Sequence, residues 1–489
     1  MKSPSARSDF RGNMKTKSVL LILFGASSYA QTGTFTPTGG MTVPRATHTA
    51  TLLPNGKVLI AGGTTNYLRA ATGSPSPVEL YDPSTGTFTA SGAMTASNYV
   101  ASATLLPDGR VLLIESRNAE LYDPSTGTVT ATGSMIDGQG GPATLLSNGK
   151  VLMTGSGDPQ LYDPSTGAFT LTGPYASVYN HDDYFKPTVT LLPNGEVLFA
   201  EDVQYVRNNS AELYDSTTNT FRLTGTMVSF LLGRTTTLLV NGKVLRAGGR
   251  EDLGGFPNAE EQYDPATGMF TATGGITTPR SDHTAVLLPD GAVLITGGFH
   301  YPMGPIVFLA SAELYDSSTG TFTAAGNMTA RRAYHTATVL NDGRVLITGG
   351  VSPLGMRSFN VDWIQSSAEI YTPPVLVPAP ALFSLSGDGR GQGSIWHAQT
   401  GQIASAGNLA VAGEALSMYT TTLADGGVIP PQIAIGGRLA EVLYFGASGY
   451  PGYTQVNFRV PSGIVPGTAV PVRLSYLGRS TNEVTIGVQ

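Results

Sequence analysis

The stretch Thr49-Ala-Thr-Leu-Leu-Pro-Asn-Gly-Lys-Val-Leu-Ile-Ala-Gly-Gly63, continued by Val78-Glu-Leu-Tyr-Asp-Pro-Ser-Thr-Gly-Thr-Phe-Thr89, decides the fold. It reads as four strands. Thr47 to Leu53 alternates, Pro54-Asn55-Gly56 is a tight hairpin turn, and Lys57 to Ala61 is apolar on both faces, as in a sheet covered on both sides. Gly62-Gly63 ends that strand. Val78 to Tyr81 makes a third, Asp82-Pro83-Ser84-Thr85-Gly86 turns the chain, and Thr87 to Ala90, carrying Phe88, makes a fourth. The unit recurs seven times, with turn glycines at 56, 109, 149, 195, 242, 291 and 343 and tyrosines at 81, 122, 162, 214, 263, 315 and 371. Multi-strand repeats with periods of about 40 to 50 residues indicate a propeller.

The ends of the array close it. The seventh unit stops at Tyr371-Thr372-Pro373-Pro374 without a fourth strand, while Thr32 to Gly39, carrying Phe35, is a fourth strand lacking its own unit. Pairing the two hides the edges an open array would expose. The chain is therefore expected to be all-β, a seven-bladed propeller over residues 31–372 closed by an N-terminal strand.

These units resemble kelch repeats, those of the galactose oxidase central domain most of all. The resemblance rests on the double glycines (Gly62-Gly63, Gly248-Gly249, Gly297-Gly298, Gly349-Gly350), the Ala-Glu-Leu-Tyr-Asp strand and the strand-four aromatic. Strand four departs by carrying Phe35, Phe88, Phe169, Phe221, Phe270 and Phe322 where kelch repeats often have Trp. Blades 2 to 4 depart at the double glycine, with Glu115-Ser116, Gly155-Ser156 and Glu201-Asp202.

After the Pro-rich linker 373–380 the repeat is absent, and residues 381–489 read as a small immunoglobulin-like β-sandwich. Its expected strands are Ser394 to His397, Ala415 to Thr421, Gln432 to Ile435, Ala440 to Tyr444, Thr454 to Val460, Val470 to Tyr476 and Glu483 to Val488. The stretches Ile435 to Tyr444 and Gln455-Val-Asn-Phe-Arg-Val-Pro461 resemble early-set modules and a C-terminal domain of secreted acidobacterial proteins.

Lys15 and Lys17, the apolar run 19–24 and Ser28-Tyr29-Ala30 read as a signal peptide over residues 1–30, with Met14 an alternative start. The expectation is export, to the medium or the cell surface, with no membrane span in the mature chain. Removing residues 1–30 takes away five basic side chains and one acidic one, leaving 23 against 33, a net charge of −10. That balance argues against nucleic acid as a partner. Composition fits a β protein rich in turns, with 61 Gly and 32 Pro; Cys is absent.

In a four-stranded blade the 1-2 and 3-4 turns share one face and the 2-3 and 4-1 loops the other. The first face is uniform, whereas the 2-3 loops are long in blades 1 (Thr64 to Pro77), 6 (Phe299 to Ala310) and 7 (Val351 to Gln365), and variable loops on a scaffold are where binding concentrates. An Arg-x-x-His-Thr-Ala motif enters the first strand of the same blades: Arg45/His48, Arg280/His283 and Arg332/His335. This arc, with Tyr334, is the candidate ligand site. Three Arg and three His suit a carboxylate or polyanion if exposed; the same groups suit blade-to-blade hydrogen bonding if buried.

Arg332-Ala-Tyr-His-Thr336 resembles the segment with which galactose oxidases supply a Tyr and a His to copper, so the resemblance implies Tyr334 and His335 as metal ligands; a simpler metal site would use the same two with His283 or His48. The family's radical cofactor needs a Cys cross-linked to a Tyr, and this chain has no Cys. No cofactor is therefore expected, copper being the alternative. The repeated Glu79, Glu120, Glu212, Glu261, Glu313 and Glu369 read as structural, His181-Asp182-Asp183-Tyr184 as a polar loop, and His397 beside Trp396 as a residue that could approach such a metal site with no sequence signal that it does. The functional expectation is a monomeric binding protein for a polysaccharide, envelope component or exported protein, using blades 6, 7 and 1 with tyrosines such as Tyr67, Tyr301 and Tyr334. The alternative is a carbohydrate-active or galactose-oxidase-like enzyme.

Overall fold

The computed structural model describes residues 32–489, except 65–76, 96–99, 101, 116, 178–186, 201–208, 230, 252–254, 258, 301–304, 353–363, 378–379, 422, 424–428, 449–452 and 478. The signal-peptide reading, Tyr67, Tyr301, the 181–184 loop and Glu201-Asp202 lie outside the described residues. Among those described, no helix is long and apolar enough to cross a membrane.

Seven four-stranded antiparallel sheets form the blades. In blade 1 the strands are Thr49–Leu52, Val58–Ala61, Pro77–Asp82 and Thr87–Ala93. The inner strand begins two residues later than the alternation suggests because Thr47 takes a φ of 54°, which breaks the extended run. The second strand is buried along its whole length, as its unbroken apolar sequence requires. Neighbouring inner strands pack on each other round a complete circuit from Thr49–Leu52 to Thr336–Val339 and back.

The ring closes as expected. Thr34–Pro37 pairs with Ala368–Thr372, setting Phe35 opposite Tyr371 in the outer position that Phe88 holds opposite Tyr81. The two rings lie 4.8 Å apart, like the Tyr–Phe pairs of other blades. Most of these tyrosines also tie to the preceding unit: Tyr81 Oη meets Thr38 Oγ1 at 2.9 Å, and Tyr122 Oη meets Ser91 Oγ at 2.8 Å. Each thereby packs its own blade while its hydroxyl is satisfied across a seam.

The C-terminal strands are Ile395–His397, Ala415–Thr421, Gln432–Ile435, Arg438–Ala447, Tyr453–Arg459, Gly467–Tyr476, Arg479–Ser480 and Val484–Val488. They make a sandwich about a core including Leu416, Met418, Ile433, Val456, Phe458, Val472 and Ile486. Arg438–Ala447 is longer than Ala440 to Tyr444 because it serves both layers, pairing with Gln432–Ile435 at its start and Tyr453–Arg459 at its end. The domain meets the turn face of blade 2: Leu439 N–H donates to Pro107 O, and a Cβ on Gly109 would lie 2.6 Å from Gly437 O.

Candidate functional site

The strand-three glutamate explains the 2-3/4-1 face. It is buried and accepts a backbone N–H from the 4-1 connection entering its blade: Thr42 to Glu79 at 2.6 Å, Ala176 to Glu212 at 2.8 Å, Thr277 to Glu313 at 2.7 Å and Thr329 to Glu369 at 2.7 Å. In blade 3 the neutral Gln160 does the same for Ile136 at 2.8 Å. A buried carboxylate requires a countercharge or several donors. Blades 1, 6 and 7 supply an arginine.

Arg45, Arg280 and Arg332 have no exposed surface. Each pairs with its blade's glutamate, at 3.0 Å (Glu79), 2.7 Å (Glu313) and 2.8 Å (Glu369). Each also donates Nη1 to the carbonyl of its blade's first paired glycine: Gly62, Gly297 and Gly349, at 2.8–2.9 Å. Burial pulls the three guanidinium pKa values down and the glutamates push them back.

The histidines face the preceding blade. His48 Nε2 meets Thr348 Oγ1 at 2.8 Å and Thr336 Oγ1 at 3.1 Å. His335 Nε2 meets Thr296 and Thr284 at 2.9 and 3.1 Å, and His283 Nε2 meets Thr235 at 3.0 Å. All three are buried. Desolvation, with the nearby arginines, lowers the His48 and His283 pKa to about 3 and that of His335 well below its ordinary value. The imidazoles are therefore neutral at neutral pH.

The double glycines complete the seams. The second glycine donates its N–H to the next blade's arginine carbonyl: Gly249 to Arg280 at 2.8 Å, Gly298 to Arg332 at 2.9 Å and Gly350 to Arg45 at 2.8 Å. At the first glycine a Cβ has no room; on Gly349 it would lie 2.3 Å from Arg45 O and 2.8 Å from His48 Cε1. Gly-Gly in blades 5, 6 and 7 thus matches Arg-x-x-His in blades 6, 7 and 1. The structure brings the six residues together as three equivalent seams and directs their polar atoms into protein.

The residue before each histidine is different. Thr47, Asp282 and Tyr334 adopt φ of 54°, 53° and 56°, and Gly233 holds the matching place in blade 5 with φ 72°. Their backbones form a chain around the ring: Thr47 N–H donates to Tyr334 O at 2.9 Å, Tyr334 N–H to Asp282 O at 3.1 Å, and Asp282 N–H to Gly233 O at 3.0 Å. Thr47 is exposed, Asp282 and Tyr334 half-buried. The Tyr334 ring lies 6.0 Å from Phe299, over an apolar cluster of Ala46, Phe308, Ala333, Val351 and Ile364. Phe299–His300 and Val307–Phe308 pair as a small hairpin inside the blade 6 loop.

Blade 5 shows what the repeat comparison missed. Arg234 stands where the other three motifs have His, yet it reaches Glu261 at 2.9 Å, and Arg246, on a strand otherwise apolar, pairs with the same carboxylate. Beside them Glu260 is buried at a position that is Ala in four other blades, and burial raises its pKa. The apolar-to-charged changes in both strands are the sequence signal for this cluster. In the other domain His397 lies 2.5 Å from Glu414 and also meets Asn408 O, pinning a turn of the sandwich.

His335 Nε2 is spent on two threonines, and among the described residues no three His, Cys, Asp or Glu side chains converge.

No known family profile matches the chain, and no curated protein sequence matches it. Among solved structures it is similar to a fungal alcohol oxidase described as having catalytic diversity among the AA5 family, in complex with copper. The identity is 17%, the TM-score 0.61, and the match covers 94% of this chain and 100% of that one. At the level of fold, the chain is therefore a galactose-oxidase-like seven-bladed propeller carrying a C-terminal β-sandwich.

Proposed function

We propose that this protein is an exported, monomeric binding protein that takes a carbohydrate or cell-envelope component at the 2-3/4-1 face of blades 6, 7 and 1. The observation that carries the reading is the run of left-handed residues there. Non-glycine residues at such φ cost about 1 to 3 kcal/mol each and persist where the surroundings enforce them, often at ligand sites. Blade 5 manages the same turn with Gly233. Using Tyr, Asp and Thr instead sets along one arc a half-buried ring, a carboxylate that accepts from Ser281 Oγ at 2.8 Å and a hydroxyl that donates to Ala46 O at 2.6 Å, groups that can stack on and exchange hydrogen bonds with a sugar. In this reading Arg45, His48, Arg280, His283, Arg332 and His335 are the rigid bed beneath the ligand, with Tyr334 its contact.

The test replaces Tyr334, Asp282 and Thr47 singly with Gly and measures both stability and retention on a panel of neutral and acidic glycans and envelope fractions. Thr47→Gly and Asp282→Gly are each expected to gain about 1 kcal/mol because glycine relieves the backbone strain, Tyr334→Gly to gain less because it also gives up the ring's packing over the Phe299 cluster, and all three to lose binding. Unchanged binding in all three would defeat the proposal. The likeness to a copper alcohol oxidase favours an oxidoreductase as the second reading. One copper per chain after loading and desalting, lost in His335→Ala, would support it.

A further inference from the structure

The segment Gln455-Val456-Asn457 has no part in the propeller. On a strand successive side chains alternate, so Val456 enters the sandwich core while Gln455 and Asn457 face outward. Cross-strand register then builds a row on that face. Trp396 stands opposite Ser417, Ser417 opposite Asn457, and Asn457 opposite Tyr444. Two residues along, Tyr419 stands opposite Gln455 and Gln455 opposite Gly446; beyond them Thr421 faces Tyr453.

Aromatic rings therefore flank a polar strip. On one side Trp396 and Tyr419 meet edge to face at 5.1 Å and on the other stands Tyr444, while Tyr453, on the same strand as Gln455 and Asn457 and braced by Phe383 at 5.5 Å, closes one end; both tyrosines are 45% exposed. In the strip, Asn457 Oδ1 accepts Ser417 Oγ at 2.7 Å and Gln455 Nε2 at 3.0 Å. Those bonds fix both amides. They leave Asn457 Nδ2 and Gln455 Oε1 without a protein partner among the described residues, one donor and one acceptor side by side. The only charged groups in these rows, Arg459 and Glu441, neutralise each other at 2.8 Å. From Trp396 to Tyr444 is three strand spacings, about 14 Å.

We propose that this sheet face is a second binding site, for a neutral glycan chain. Sugar rings present apolar C–H faces to the aromatic walls, and their hydroxyls, which both donate and accept, match the paired amide donor and acceptor. The lack of net charge selects against uronic or sulfated polymers. A sheet face of aromatic walls and oriented amides has the composition of a ligand site, apolar area with few fixed polar groups.

The test is affinity electrophoresis of the full chain through gels containing a soluble β-glucan, a xylan or a galactomannan, with polygalacturonate as the anionic control. Retardation in at least one neutral gel is expected, with association at least tenfold weaker in Trp396→Ala and Tyr444→Ala, weakened in Asn457→Ala, and kept in Tyr444→Phe. Met269→Ala, an exposed change on the outer strand of blade 5, should leave it unchanged. Trp363→Phe leaves Trp396 as the sole tryptophan of the two in the chain, and its emission should change with the same midpoint. No retardation in any neutral gel, retardation by polygalacturonate alone, or equal retardation of near-UV-dichroism-verified Trp396→Ala and Tyr444→Ala would overturn the proposal.

Discussion

Lowering the pH from 7.5 to 5.5 should destabilise this propeller through three histidines. In the folded protein His48 and His283 hold pKa values of about 3, and His335 lies well below 6.5. Unfolded, each returns to about 6.5. The folded pKa is the depressed one, so the contribution is complete above pH 6.5 and is lost as pH falls from there towards the folded value. At pH 5.5 an unfolded imidazole is about nine-tenths protonated and a buried one is neutral, so unfolding takes up about 0.9 proton per histidine. Integrated from pH 7.5 to 5.5, the three together cost about 4 kcal/mol. The assay is guanidinium unfolding of the wild type and His335→Gln at several pH values. The variant should be less stable at pH 7.5, having lost contacts to Thr284 and Thr296, but its decline should be shallower by about one third. Equal declines would refute the reasoning, since they would mean that His335 titrates normally in the folded protein.

Two further perturbations probe the seams. Glu369→Ala should cost about 3 to 5 kcal/mol by denaturant unfolding, because it strands the Arg332 charge without water; Arg332→Met combined with Glu369→Leu should recover most of that. Gly297→Ala places a Cβ 2.3 Å from Arg332 O at a φ of 61°, whereas Gly387→Ala meets nothing within 4 Å at a φ of 79°. The first should lower the melting temperature sharply and the second slightly, near the roughly 1 kcal/mol of the backbone penalty alone.

The fold was legible because each local signal repeats. Asn55-Gly56 specifies a hairpin and Val58 to Ala61 a strand covered on both faces, and six further copies leave little freedom. The stray strand at Phe35 and the missing one after Tyr371 gave the closure by complementarity. Even the seams are written in the chain, as double glycines one blade ahead of each Arg-x-x-His. The direction of those side chains was not written there. An arginine and a histidine near a loop read equally as ligand groups or as inter-blade contacts, and only the packed ring shows Arg332 meeting Glu369, 37 positions away, and His48 meeting Thr348 across 300 residues. The left-handed turn at Tyr334 was likewise invisible, since Tyr, Asp and Thr carry no local preference strong enough to announce positive φ. In the C-terminal domain Gln455-x-Asn457 marks one strand and gives no neighbours. Alternation is local and belongs to the sequence; register between strands sums many weak contacts across the fold, and it alone sets Trp396, Ser417, Asn457 and Tyr444 in one row.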